Sequence, residues 1–172
     1  MTPEFSRPIP VDRIGPRKKR FNLVADLAER TALAARYDIL GVNSLLAEIF
    51  IHPFSKGYRL QGRLTAEVVQ ACVVTLEPVI ASVTEEFEVT FAKTDPLVEA
   101  REVDLDPYGD DPPEPILNGE IDLGEVVSEH LALALDPFPR AADAVFSAIE
   151  TDEMAEPVKA SPFAALAALK KK

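Results

Sequence analysis

Few side chains in this sequence are of the types that do chemistry, and their spacing works against it. There are two histidines, His52 and His130, and one cysteine, Cys72. Imidazole and thiolate are the usual ligands of transition metals, yet neither histidine has a second ligand at metal-binding spacing. His52 stands beside Pro53 at the end of an apolar run, and His130 lies inside a strongly apolar stretch. Both read as packed or surface histidines. Ser128, His130 and Asp136 have the residue types of a hydrolytic triad, but on one short helical stretch they cannot converge on a point. Asp104, Asp106, Asp110 and Asp111 could attract a divalent ion, but the glycine and closing glutamate of a calcium loop are missing. A solvated acidic loop is the better reading. Seven glycines are scattered singly, so no phosphate-cradling loop is present. Cys72 reads as a small core hydrophobe with no cation near enough to make it a reactive thiolate. The sequence therefore predicts no catalytic residue, no metal, no cofactor and no small-molecule substrate.

Charge is the more informative property. The formal net charge is −11, unevenly spread. Residues 1–20 carry six basic side chains against two acidic ones, whereas residues 95–129 carry twelve acids against Arg101 alone. An anionic surface repels phosphate backbones and suits basic partners. It leaves room for one local cationic contact at Arg13, Arg17, Lys18, Lys19 and Arg20. A charge run of this kind is more often a solvated arm, so both readings stay open. No apolar run approaches the roughly 18 residues of a membrane span, and Met1–Pro10 lacks the core of a signal peptide. A lone cysteine fits a reducing compartment. The expected location is the cytoplasm, away from membranes.

The elements that must position these groups follow from periodicity. Tyr58–Val68 alternates strictly between apolar and polar residues, and Val83–Phe91 repeats the pattern, so each is a half-buried strand. The Leu76-Glu77-Pro78 break between them predicts neighbouring antiparallel partners. Val42–Phe54 is ambiguous, with a strand ending at Pro53 as one reading. Phe5–Val11 could form an edge strand. Asp26–Tyr37 reads as a helix whose apolar stripe uses Leu27, Ala34 and Tyr37, with Leu23 just before it. Ile121–Leu135 reads as a second helix. Asp122 and Glu125 suggest a capping box, apolar residues including Leu133 cover most of the circumference, and Pro137 and Pro139 stop it. Asp95–Pro115 is acidic, proline-rich and poor in apolar residues, which predicts a mobile loop. Pro162–Leu169 could form a short helix presenting Phe163, Leu166 and Leu169, either docked on its own domain or offered to a partner. The expected class is α+β: an antiparallel sheet packed by two main helices, with an acidic mobile loop and an extended C-terminal tail. By composition the chain divides into a basic segment 1–20, one domain 21–145, and a tail 146–172.

Two segments carry a resemblance. One is Ala71-Cys72-Val73-Val74-Thr75-Leu76-Glu77-Pro78-Val79, followed by Glu86-Phe87-Glu88-Val89-Thr90-Phe91. The other runs from Ile121-Asp122-Leu123-Gly124-Glu125-Val126-Val127 through Leu131–Leu135 to Pro137-Phe138-Pro139-Arg140. In this order they resemble the YceD family of large ribosomal RNA subunit accumulation proteins. The resemblance covers roughly residues 20–145. It implies a non-enzymatic role in accumulation of large-subunit (23S) ribosomal RNA. The partner would be precursor RNA or a ribosome-assembly protein. An adaptor that holds a basic ribosomal protein or an RNA-processing enzyme, without touching RNA, is the alternative. The resemblance also singles out Arg140, whose guanidinium could meet phosphate or carboxylate beside a rigid turn, or could simply be a surface arginine after a helix stop. Many relatives carry Cys-x-x-Cys where this chain has Cys72 and Thr75. A lone cysteine cannot supply half of a tetrahedral site, so no zinc is expected.

Overall fold

The computed structural model describes residues 3–54, 57–92 and 112–145. Three long strands form its frame: β3 (Gly41–Phe54), β4 (Gly57–Ala71) and β5 (Pro78–Ala92). They pair as an antiparallel meander. β2 (Lys19–Val24) flanks β3, and the short β6 (Glu114–Pro115) runs parallel to the end of β5, giving a five-stranded sheet in the order β2-β3-β4-β5-β6. A second, two-stranded sheet joins β1 (Pro8–Pro10) to β7 (Glu120–Asp122). The helices are α1 (Leu27–Arg36) and α2 (Leu123–Ala134). The fold is thus α+β, and the ambiguous Val42–Phe54 segment is a central strand.

The period-two pattern decides which face is buried. Leu60, Leu64, Ala66 and Val68 of β4 point inward with Leu45, Ile49 and Ile51 of β3 and with Phe87 and Phe91 of β5. Against this face pack Leu33 and Ala34 of α1 and Leu123, Val126, Val127 and Leu131 of α2. Gly62 leaves room there for the Phe87 ring from the neighbouring strand, which a Cβ would strike. Both helices belong to this one core. The opposite face carries the alternating polar residues and has no helix over it among the described residues.

Tertiary contacts revise several local expectations. Leu27 is exposed at the first turn of α1, and the buried stripe is Leu33 and Ala34. Leu133 is also exposed, because only one side of α2 meets the sheet. The full capping box belongs to α1, between Asp26 and Glu29. At α2, Asp122 caps the N–H groups of Gly124 and Glu125, but Glu125 turns away to pair with Arg36. The expected edge strand shortens to Pro8–Pro10, and Glu114 and Pro115, read as loop, form β6 against the end of β5. Most of the expected acidic loop, at 95–111, and the expected C-terminal helix lie outside the described residues.

The N-terminal segment is threaded into the domain. Phe5 is fully buried, and the Asp122 carboxylate accepts from the Ser6 hydroxyl (2.5 Å) and the Arg7 N–H (2.6 Å). Arg7 forks onto Glu29 at 2.6 and 3.0 Å, which holds the Glu29 carboxyl below its ordinary range and raises Arg7. Arg36 joins Glu125 and Glu4 across the two helices. Farther on, Val11 accepts from the Tyr58 hydroxyl at 3.0 Å and Ile14 is buried, so the chain wraps the β3–β4 hairpin end before entering β2.

Candidate nucleic-acid interface

This wrap positions the basic run. Arg13, Arg17, Lys18, Lys19 and Arg20 are all exposed. Lys19 and Arg20 open β2, paired with Ile51 and Phe50 of β3. Because Ile51 points inward, Arg20 and Phe50 point outward, onto the open face. Lys18 Nζ lies 4.5 Å from the centre of the Phe50 ring, and the Arg20 guanidinium 5.9 Å from it. Arg20 also pairs with Glu48. Lys19 covers Phe21 at 5.2 Å and donates to the Arg13 carbonyl at 3.4 Å. Two further cations outside the basic run share this face, Arg59 and Arg63. Arg59 sits 5.8 Å from the Phe54 ring and 3.3 Å from Glu88, while Arg63 faces Glu86 at 3.6 Å. Their alternation with the apolar residues of β4 was legible; their nearness to the basic run depends on the pairing of β2 with β3 and of β3 with β4, which no local pattern reveals.

Arg140 lies elsewhere. The segment after α2 docks on the β4–β5 turn, where the Pro139 carbonyl accepts from Val73 N–H at 2.9 Å and Gln70 Nε2 donates to the Asp136 carbonyl at 2.9 Å. The two segments that carried the family resemblance therefore meet in space. Arg140 is exposed beside this junction. From the level of Phe50 and Gln61 it is separated by the ten residues of β4 up to Ala71, or about 33 Å at about 3.3 Å per residue. The structure does not bring it together with Arg13–Arg20.

Cys72 sits at the centre of the same junction, wholly buried. Its turn closes through Cys72 N–H to the Glu77 carbonyl (2.8 Å) and Leu76 N–H to the Cys72 carbonyl (2.9 Å), with Leu76 at φ 61°. The thiol is pushed down to about 7, first by a side-chain hydrogen bond from Thr75 and then by backbone N–H groups of Ala141, Thr75 and Val74, against the opposing effect of burial. The sulfur accepts those three N–H groups at 3.4 Å each. No cation sits close in sequence, so the signal for this lowered thiol is the turn itself, whose own N–H groups are the donors.

Of the other chemistry-bearing side chains, Ser128 and His130 make internal contacts. His130 stacks on Phe87 at 4.0 Å, and burial lowers its pKa. His52 is half-buried between outward-facing Phe50 and Phe54, and its Nδ1 has no partner among the described residues. The Ser128 hydroxyl donates to the Gly124 carbonyl, and the Ser128 carbonyl accepts from Tyr37, whose phenol burial pushes up to about 12. No group of three potential metal ligands exists among the described residues. A shallow depression of about 500 Å³ on the open face is lined by Glu48, Gln61, Arg63, Glu86 and Glu88 around Phe50, a mixture of charges already paired with one another. Phe163, Leu166 and Leu169 lie outside the described residues.

The geometry is that of an α+β sheet with both helices on one face and a charged, partly aromatic surface on the other. Residues 60–170 match the family described as large ribosomal RNA subunit accumulation protein YceD, and the chain belongs to that family. The family's description supports a role in ribosome biogenesis. No curated protein and no solved structure matches the chain. Among the described residues no helix is long and apolar enough to cross a membrane.

Proposed function

We propose that this protein supports accumulation of large-subunit ribosomal RNA without catalysing a reaction, by holding RNA directly at the β3–β4 hairpin end of its sheet. The supporting observation is the exposure of Arg13, Arg17, Lys18, Lys19 and Arg20 on a folded wrap around that end. A rigid set of cations loses less entropy on meeting phosphates than a free arm does. Arg140 is a separate contact point, some tens of ångströms along β4, suited to a second phosphate or to a carboxylate of an assembly partner. The protein works in the cytoplasm in this reading, with precursor RNA or an assembly protein as its partner. Affinity purification of the full chain from cells, with and without nuclease, tests the proposal. Loss of its partners on nuclease treatment supports direct RNA contact. A protein partner that survives nuclease contradicts it and favours an adaptor docking through Phe163, Leu166 and Leu169.

A further inference from the structure

We infer that the outward face of β3 at the hairpin end is a stacking platform for unpaired ribonucleotides, an inference that rests on the RNA contact proposed above. Phe50, His52 and Phe54 occupy alternate positions of one strand. Their inward neighbours Ile49 and Ile51 are fully buried, so the three rings share the open face. Successive rings on such a strand are about 6.6 Å apart, close to the separation of bases in a stretched single strand. All three are only half-buried. Cations lie against two of them: Lys18 and Arg20 at Phe50, and Arg59 at Phe54.

A soluble protein gains little by placing phenylalanine on the polar side of a sheet, whereas alternating rings flanked by cations suit a ligand with flat apolar faces and a phosphate backbone. The charge pattern also selects among ligands. At the level of His52 the face bears Arg59, paired with Glu88 of the adjacent level at 3.3 Å, and Thr90, while Lys18 lies over Phe50. At the level of Glu48 it bears Arg63 between two glutamates. The phosphate path therefore runs along the hairpin end, past Arg59, and not across the centre of the sheet. A duplex hides its base faces and has no use for such rings.

The test uses the full chain and a labelled RNA oligonucleotide of about 12 nucleotides, single-stranded or annealed to its complement, in a salt series. The expected result is preference for the single strand. Replacing Phe50→Leu and Phe54→Leu together keeps apolar volume but removes the rings. It should weaken binding about tenfold or more, with the salt slope unchanged, as base–aromatic stacking requires. Because these rings are half-buried, a parallel experiment uses wild-type protein and 4-thiouridine crosslinking, with the crosslink expected on the peptide spanning Phe50–Arg59. Salt-dependent wild-type binding that is indifferent to the leucine variants, equal affinity for duplex, or crosslinks confined to other peptides overturns the platform while leaving phosphate contact intact. No wild-type binding to either RNA at low salt overturns the RNA reading as well.

Discussion

At the scale of single residues, Leu131 and Cys72 show how burial and hydrogen bonding divide the work. Leu131 is fully buried against the sheet, so Leu131→Ala should cost about 2–5 kcal/mol in chemical denaturation. A loss of only tenths would mean that α2 does not pack as described. Cys72 makes a pH-dependent contribution. Its thiol falls from an ordinary 9.0 to about 7 in the folded protein. Between those values the folded form has lost its proton while the unfolded form keeps it, so the stabilisation grows as pH rises from 7 to 9 and vanishes below the folded value. The denaturation midpoints of wild type and Cys72→Ser should therefore diverge between pH 7 and pH 9. A constant difference would show that the turn's donors do not favour the thiolate.

At the scale of elements, the start of α2 joins three parts of the chain. Asp122 caps the helix and anchors Ser6 and Arg7, so Asp122→Ala should cost more than the roughly 1 kcal/mol of an ordinary cap, about 2–3 kcal/mol. Equal thermal shifts for Asp122→Ala and Asp26→Ala would argue that the N-terminal anchor adds nothing. Gly124 makes a sharper case. Alanine is the better helix former by about 1 kcal/mol, yet a Cβ here would lie 2.5 Å from the Phe5 carbonyl oxygen. Gly124→Ala should therefore lower the melting temperature, and a rise would refute the close approach. These positions also mark what the sequence could reveal. The alternation in Tyr58–Val68 exposed a strand and its buried face, because period two is a local signal. The exposure of Leu27 and Leu133 was hidden, because helix stripes identify apolar residues but not which of them meets a neighbour. The Ser6–Asp122 and Arg7–Glu29 contacts were invisible for the same reason, since they join residues remote in sequence. The basic run was legible in the candidate site. Its aromatic and cationic companions Phe50, Phe54 and Arg59 became apparent only through strand register.

At the scale of the whole molecule, the net charge conceals a local concentration of opposite sign. The chain is strongly acidic, at −11, yet the wrap around the β3–β4 hairpin gathers five exposed cations from Arg13, Arg17, Lys18, Lys19 and Arg20, with Arg59 alongside. In the proposed reading the acidic remainder would oppose indiscriminate attachment to nucleic acid and confine contact to this end. A short track of phosphates would release a few counter-ions, giving weak binding with a steep salt dependence. The most direct measurement is a salt titration of binding between the full chain and a large-subunit ribosomal RNA fragment. It compares wild type with a variant carrying Arg17→Ser, Lys18→Ser, Lys19→Ser and Arg20→Ser. With about four phosphate contacts, the wild-type log–log slope should be roughly −3 and should collapse in the variant. No wild-type binding at low salt, or equal binding by the two proteins, would contradict direct contact through this end.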